Sequence, residues 1–165
     1  MATVTLGGNP LKTNGEIPQV GTNAPNFELI ANDLSTVTLN SFKGTKLILN
    51  IFPSIDTGVC AQSVRSFNEK ASNLENTKVL CISRDLPFAQ NRFCGAEGLD
   101  NVITLSDFKT GNFGKDYGLE LLESGFAGLH SRVVLVLDEN NVVKYAEQVS
   151  EIGTEPNYEE ALAAL

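Results

Sequence analysis

Residues 46–60 of the chain read Lys46-Leu47-Ile48-Leu49-Asn50-Ile51-Phe52-Pro53-Ser54-Ile55-Asp56-Thr57-Gly58-Val59-Cys60. The first seven residues form the short apolar run of a buried strand, and a helix-like run begins near Cys60. A cysteine there lies in the first helical turn, where unpaired backbone N–H groups favour an anion and therefore a thiolate. The stretch predicts a strand–loop–helix unit that presents a nucleophilic cysteine.

The loop between this strand and this helix carries polar and rigid residues. Asp56-Thr57-Gly58 are residue types typical of turns and helix N-caps. The Thr57 hydroxyl precedes Cys60 by three residues and lies within reach of its sulfur. Pro53 stiffens the start of the loop and has no N–H to compete for hydrogen bonds. These residues favour a reactive cysteine over a buried structural one.

The charge balance around Cys60 requires a basic partner. A carboxylate at Asp56 disfavours a nearby thiolate and so opposes the helix dipole. Arg132, at the start of an apolar strand-like run, is the best candidate for the missing cation. Arg65 is closer in sequence, but it lies about 140° around the helix from Cys60, so its side chain is not directed at the sulfur. We therefore expect Arg132 to stabilise the sulfur.

The composition is that of a globular protein with a single domain, residues 1–165. Hydrophobic residues make up 42% of the chain, and its net charge of −8 argues against a nucleic-acid partner. The N-terminus lacks the features of a secretory signal, and no apolar run is long enough to span a membrane. We therefore expect a cytoplasmic protein with no membrane partner; a mature periplasmic form stays open. Three cysteines are too few to form a set of disulfides that stabilises the fold.

Short β-like and helix-like runs alternate from residue 46 onward. The predicted strands are 46–52, 78–83, 102–106, 132–138 and 142–149. Val133–Leu137 is continuously apolar, as expected of a central strand covered on both faces. Residues 138–141, Asp-Glu-Asn-Asn, are turn residues and predict a hairpin between the last two strands.

The helices and the N-terminal strands complete the predicted fold. The predicted helices begin near Cys60 and at 86–93, 112–117 and 158–165. Short strands are expected at 27–31 and 36–39, preceded by a hairpin with strands at 3–6 and 12–15. This order predicts a thioredoxin-like α/β fold with an N-terminal β-hairpin extension.

The remaining cysteine and the lone histidine do not indicate a second redox site, a zinc site or thioredoxin activity. Cys81 falls in a β-rich buried run and is predicted to be a core thiol. The spacings of the cysteines and the lone His130 do not match a zinc site, so no metal is expected. His130 itself is interpreted as an ordinary surface or rim histidine. A missing C-x-x-C pair excludes thioredoxin activity.

Four ordered motifs resemble those of a known family. Pro53-x-x-x-Thr57-x-x-Cys60 is similar to the active-site pattern of the peroxiredoxins. The full loop resembles the thiol peroxidase subfamily, the atypical two-cysteine peroxiredoxins. Further matching stretches are Asp85-Leu86-Pro87-Phe88-Ala89-Gln90, Arg92-Phe93-Cys94-Gly95-Ala96-Glu97-Gly98 and Thr154-Glu155-Pro156-Asn157-Tyr158. The likeness extends over essentially the whole chain.

The resemblance implies a role for each candidate site residue. Cys60 is the peroxidatic cysteine, Thr57 orients the sulfur and the peroxide, and Pro53 shields the pocket. Arg132 holds the thiolate and polarises the substrate. Cys94 is the resolving cysteine, which condenses with the Cys60 sulfenic acid to form an intrachain disulfide. A disulfide requires Cα atoms within about 7 Å, so we expect local unfolding if the sulfurs start far apart.

The resemblance also implies the activity and the partners. It describes a thioredoxin-dependent peroxidase that reduces hydrogen peroxide and organic hydroperoxides without metal, haem or flavin cofactors. Thioredoxin is the expected reductant, and a homodimer formed near the active site is expected. Two alternatives stay open: a peroxide-sensing relay that oxidises a partner protein, and a non-catalytic binding module. Steady-state turnover with thioredoxin separates the relay from the enzyme.

Overall fold

A seven-stranded mixed sheet forms the centre of the computed structural model, which describes residues 1–165. The strands are β1 (Thr3–Leu6), β2 (Asn9–Lys12), β3 (Glu28–Ile30), β4 (Thr36–Thr38), β5 (Lys46–Ile51), β6 (Thr77–Ser83), β7 (Val102–Ser106), β8 (Val133–Leu137) and β9 (Val143–Gln148). The helices are α1 (Gly58–Ala71), α2 (Pro87–Glu97), α3 (Asn112–Asp116) and α4 (Tyr158–Ala163). None of these helices has the length and apolar character needed to cross a bilayer.

The strand order in the sheet is β4-β3-β7-β6-β5-β8-β9, and β1 pairs with β2 in a separate hairpin. Strands β5, β6 and β7 run parallel, connected by α1 and α2, whereas β8 is antiparallel to β5 and continues into the β8–β9 hairpin. Every residue of β8 is buried, which confirms the prediction from its continuous apolar run. This arrangement is the thioredoxin-like α/β fold with an N-terminal β-hairpin.

The two faces of the sheet carry separate hydrophobic cores. On β5, Leu47, Leu49 and Ile51 belong to one core and Ile48 to the other, as the alternation of side chains along a strand requires. Complete burial of such side chains contributes about 1.5–3 kcal/mol each, so β5 is firmly held. The Ile48 face is covered by helices, through side chains that include Val64 and Phe67 of α1, Phe93 and Cys94 of α2, and Tyr158 of α4. We call it the helical face.

Two predicted boundaries in the chain were wrong. The second strand of the N-terminal hairpin lies at Asn9–Lys12, not at 12–15, because Gly7 and Gly8 form a two-residue turn that pairs Leu6 with Asn9. Both glycines have positive φ, 58° and 82°, a combination that such tight hairpin turns require. Helix α2 continues past residue 93 and stops before Gly98, which adopts the left-handed conformation with φ 66°. Cys94 therefore lies inside the helix.

The Glu151 carboxylate and backbone hydrogen bonds of Thr5 with Ser150 and Ile152 together attach the N-terminal hairpin to the segment after β9. Glu151 accepts hydrogen bonds from the N–H groups of Gly153 (3.0 Å), Gly8 (2.9 Å) and Gly7 (3.2 Å) and from the Thr5 hydroxyl (2.9 Å). These donors, the Gly153 and Gly8 N–H groups foremost, lower the pKa of Glu151 to about 2. The carboxylate therefore stays ionised, and the hairpin stays docked, through mildly acidic conditions.

Candidate functional site

Cys60 is the third residue of α1 and lies at the carboxyl end of the neighbouring parallel strands. Thr57 is the N-cap residue, with extended backbone angles (φ −98°, ψ 149°). Its hydroxyl does not cap the helix but donates to the Ser54 carbonyl oxygen at 3.0 Å. The Cys60 residue is only 1% exposed, in a core with Phe52 and Ile55. The sulfur therefore lies in an almost closed site at the helix N-terminus.

Arg132 provides the cationic group of this site. It precedes β8, which pairs with β5, and it is also 1% exposed. Its Nη2 lies 3.2 Å from Cys60 Sγ, and its Nε donates to the Ile152 carbonyl oxygen at 2.9 Å. The second contact fixes the plane of the guanidinium, and Nη1 is buried without a protein partner. A buried, oriented guanidinium stabilises a thiolate and keeps one N–H group free for a bound molecule.

The two charged residues near Cys60 in sequence are engaged elsewhere. Arg65 forms a 2.7 Å ion pair with Glu97 of α2, and its guanidinium stacks 5.5 Å from the centre of the Phe93 ring. Asp56 is largely exposed and pairs with Arg92 of α2 at 3.2 Å. The negative charge of Asp56 is therefore offset by the positive charge of Arg92, which reduces its repulsion of a Cys60 thiolate.

The loop that carries Pro53 is fixed by Asp85, a residue whose role the sequence did not indicate. Pro53 is buried between β5 and the turn that begins α1. The Asp85 carboxylate accepts hydrogen bonds from the Ser54 hydroxyl and from the Ile55 N–H, both at 2.7 Å. Two signals drew attention to the residue: Asp85 begins one of the matching motifs, and it lies two residues after the end of β6, where carboxyl ends of adjacent parallel strands meet at one edge of the sheet.

Cys94 lies on the helical face, as Cys60 does, but the two thiols are free. It is half-buried in α2, and this burial raises the pKa of its thiol. The Cys94 side chain lines a surface cavity of about 510 Å³ together with Asn32, Leu99 and Thr104. The structure thus places the two cysteines on one face of the sheet, with Cys94 held inside a helix.

Cys81 is a core thiol, as predicted. It is fully buried on β6, and desolvation raises its pKa to about 12. The Asn50 amide donates to its sulfur, with Nδ2 at 3.8 Å from Sγ. No group of three or more His, Cys, Asp or Glu side chains in the chain is arranged to bind a metal.

The interpretation of His130 as a surface or rim residue was wrong. His130 is fully buried, and its Nε2 lies 2.9 Å from Oδ2 of the buried Asp107. The ring packs 5.6 Å from Phe113, and a side chain at Gly114 would come within 2.9 Å of it. The His130–Asp107 pair is therefore packed in the core beneath α3, on the face of the sheet opposite Cys60. No local sequence pattern indicates that this pair is buried.

Comparison with known proteins supports one assignment. Residues 19–162 match the family described as Redoxin. A thiol peroxidase from Corynebacterium glutamicum is 55% identical over 165 residues, covering 100% of this chain and 99% of that protein. A peroxiredoxin-like protein from Aquifex aeolicus superposes with a TM-score of 0.93 at 36% identity, covering 99% of this chain and 95% of the other. A thiol peroxidase from Chromobacterium violaceum shares the fold, with a TM-score of 0.91 at 24% identity over 99% of this chain and 95% of its own.

A thioredoxin-like sheet that carries an arginine-paired cysteine at a helix start defines a class of thiol-dependent oxidoreductases. The chain belongs to the redoxin family, as a peroxiredoxin of the thiol peroxidase group. It is accordingly a peroxidase, an enzyme that reduces peroxides.

Proposed function

We propose that Cys60 is the peroxidatic cysteine of a thioredoxin-dependent peroxidase that reduces hydrogen peroxide and organic hydroperoxides. The observation that carries the proposal is the 3.2 Å contact between Arg132 Nη2 and Cys60 Sγ at the start of α1. In this reaction the thiolate attacks the terminal peroxide oxygen and the O–O bond breaks. Cys60 becomes a sulfenic acid, and the other oxygen takes up a proton and leaves as water or an alcohol.

The residues around the sulfur suit this step. The buried Nη1 of Arg132 has no protein partner and can donate to a peroxide oxygen as negative charge develops on the leaving group. The Thr57 hydroxyl donates a hydrogen bond to the Ser54 carbonyl oxygen, so its own oxygen is free to accept a hydrogen bond from the peroxide. Pro53 is buried in the same loop and is the proposed shield of the sulfur against water. Arg132 and Thr57 are the proposed substrate contacts.

The second step forms the proposed Cys60–Cys94 disulfide. The Cys94 thiolate attacks the sulfenic sulfur, an S–S bond forms, and the hydroxyl leaves as water. Because Cys60 is almost fully buried and Cys94 lies inside α2, the first turn of α1 or the end of α2 has to loosen. The ion pairs Arg65–Glu97 and Asp56–Arg92 oppose this movement only weakly, since solvent screens ion pairs that lie at the surface.

Turnover with thioredoxin tests the proposed function. We expect thioredoxin to reduce the Cys60–Cys94 disulfide by dithiol exchange, in a reducing compartment such as the cytoplasm. NADPH oxidation in the presence of thioredoxin, its reductase and either hydrogen peroxide or an organic hydroperoxide measures this cycle. A mixture that contains glutathione and glutaredoxin instead of thioredoxin is the control. A single oxidation without any recycling by thioredoxin would contradict the proposal and favour the sensing relay.

An apolar patch beside the site supports the proposed homodimer. Leu86 and Phe88, at the start of α2, are 51% and 66% exposed. They follow Asp85, which binds the Cys60 loop, so a second copy covering them would lie next to the active site. Two large apolar side chains left in solvent two residues apart favour burial against a partner.

We expect Phe88→Asp to convert the dimer into a monomer, because a carboxylate cannot be buried there without a partner. Sedimentation velocity of both proteins at several concentrations measures the change. Val20→Asp is the matched control, since Val20 is 61% exposed on a different part of the chain. A wild-type monomer, or a dimer unaffected by Phe88→Asp, would exclude this interface.

A further inference from the structure

We propose that Asp85 is a positioning residue for the peroxide step, which holds the Cys60 loop in the conformation that reacts with peroxide. This inference rests on the proposed role of Cys60. Asp85 contacts neither the sulfur nor the site of the peroxide; it acts through the residues that begin α1. Its carboxylate is the point at which the catalytic loop is attached to the rest of the sheet.

Three donors from two segments converge on this carboxylate. Oδ1 accepts from the Ser54 hydroxyl at 2.7 Å, while Oδ2 accepts from the Ile55 N–H at 2.7 Å and from the Ser83 hydroxyl at 2.5 Å. Hydrogen bonds to an ionised acceptor are stronger than those between neutral groups. Ile55 is 1% exposed, and loss of the carboxylate would remove the hydrogen-bond acceptor of its N–H.

Asp85 is itself held by the sheet and by α2. Its N–H donates to Ser83 Oγ at 3.3 Å, and its carbonyl oxygen accepts from the Ser106 hydroxyl at the end of β7. The fully buried Gln90 of α2 donates to Ser83 Oγ at 3.1 Å and to the Leu105 carbonyl at 2.9 Å. The carboxylate therefore presents its acceptors from a rigid support formed by β6, β7 and α2.

The position of Ser54 is transmitted to the reacting groups. The Ser54 carbonyl oxygen accepts from the Thr57 hydroxyl (3.0 Å) and from the Thr57 N–H (3.2 Å), and its hydroxyl oxygen accepts from the Asp56 N–H. Thr57 is the N-cap of α1, and its carbonyl oxygen accepts the helical hydrogen bond of Ala61. Asp85 thereby fixes the Thr57 oxygen and the first turn that presents Cys60.

The disulfide step requires the first turn of α1 or the end of α2 to loosen; Asp85 acts on the first turn of α1 and so sets the balance between two states. The closed state attacks peroxide, and the loosened state brings Cys60 to Cys94. A closed sulfenic acid also reacts with a second peroxide, which transfers one oxygen atom to give the sulfinic acid and leaves as water or alcohol. Loss of Asp85 shifts the population toward the loosened state. Oxidation then slows, disulfide formation does not slow, and less sulfinic acid accumulates.

Asp85→Ala and Asp85→Asn test this inference in rapid-mixing experiments that resolve oxidation from disulfide formation. We expect Asp85→Ala to slow oxidation about tenfold, because misplaced reacting groups lose proximity, with less sulfinic acid at excess peroxide. Asp85→Asn keeps one acceptor oxygen and should fall between Asp85→Ala and the wild type. Tyr117→Phe is the control, because it removes a hydrogen bond to the Pro25 carbonyl on the opposite face of the sheet.

The outcomes separate this inference from the proposed function. If Cys60→Ser still turns over peroxide, the role of Cys60 fails first. If Cys60→Ser is inactive and Asp85→Ala oxidises at the wild-type rate, the positioning role is wrong. Equal slowing of both steps in Asp85→Ala, as in a merely destabilised protein, also overturns it. If Asp85→Ala does not fold, Ser54→Ala removes one of the three donors, and the same change in the ratio of disulfide to sulfinic acid is required.

Discussion

Replacement of Cys60 by serine is expected to abolish peroxide consumption, whereas Cys94→Ser should consume about one equivalent per chain and then stop. A serine hydroxyl at position 60 is not ionised near neutral pH, and Arg132 cannot convert it into a comparable nucleophile. In Cys94→Ser the sulfenic acid still forms, but no second thiol is available to form the disulfide that thioredoxin reduces. Peroxide remaining in solution, with and without thioredoxin and its reductase, measures both results.

Cys81→Ser is the matched control for these two variants. Cys81 is fully buried on β6, so we expect near-normal turnover from the folded protein. A severe loss of activity in folded Cys81→Ser would reopen its role. Full turnover by Cys60→Ser would remove the central assignment, and continued recycling of Cys94→Ser by thioredoxin would remove the proposed resolving cysteine.

Arg132→Gln is expected to slow the oxidation of Cys60 by about 10²-fold, the loss typical when one preorganised donor to a developing negative charge is removed. The guanidinium contacts the sulfur at 3.2 Å and carries the free Nη1 group. Arg132→Lys keeps a charge but lacks the planar fork that also binds the Ile152 carbonyl, so its rate should be intermediate. Single-turnover oxidation by hydrogen peroxide measures all three proteins.

Arg65→Gln is the control for Arg132→Gln, because it removes the same positive charge from a position on α1 that does not contact the sulfur. Arg65 lies on α1, as Cys60 does, but its guanidinium binds Glu97, so we expect an oxidation rate within about twofold of the wild type. Thermal unfolding of Arg132→Gln has to be recorded as well, because removal of a buried charged side chain also lowers stability. Oxidation of folded Arg132→Gln at the wild-type rate would exclude Arg132 from the peroxide step.

Local patterns accounted for most of the fold. The apolar run of β5, the turn residues after it and the continuous apolar run of β8 each follow from the period and composition of a short segment. They predicted the order of elements and the thioredoxin-like class correctly. The errors lie where one residue decides a boundary: Gly7-Gly8 sets the register of the hairpin, and Gly98 sets the end of α2. The extent of a single domain over 1–165 remains a prediction.

The site was predictable only in part. Cys60 and Arg132 were paired because a thiolate at a helix start beside a carboxylate requires a cation, and the structure brings their side chains together. The contacts of Asp85 and those of the buried His130–Asp107 pair could not be predicted, because the partners are distant in sequence and meet only in the folded chain. Chemical roles within the site, including that of Cys94, await the substitutions.

Burial of Cys81 limits the number of oxidised isomers that the folded chain can form. Desolvation raises the pKa of its thiol to about 12, so the thiolate is disfavoured near neutral pH, and the residue is fully buried. Thiol–disulfide exchange requires an accessible thiolate, so Cys81 cannot scramble a disulfide formed by the other two cysteines while the fold is intact. Under the proposed pairing of Cys60 with Cys94, the native chain would therefore behave as a two-thiol redox couple with one oxidised product, although it carries a third cysteine.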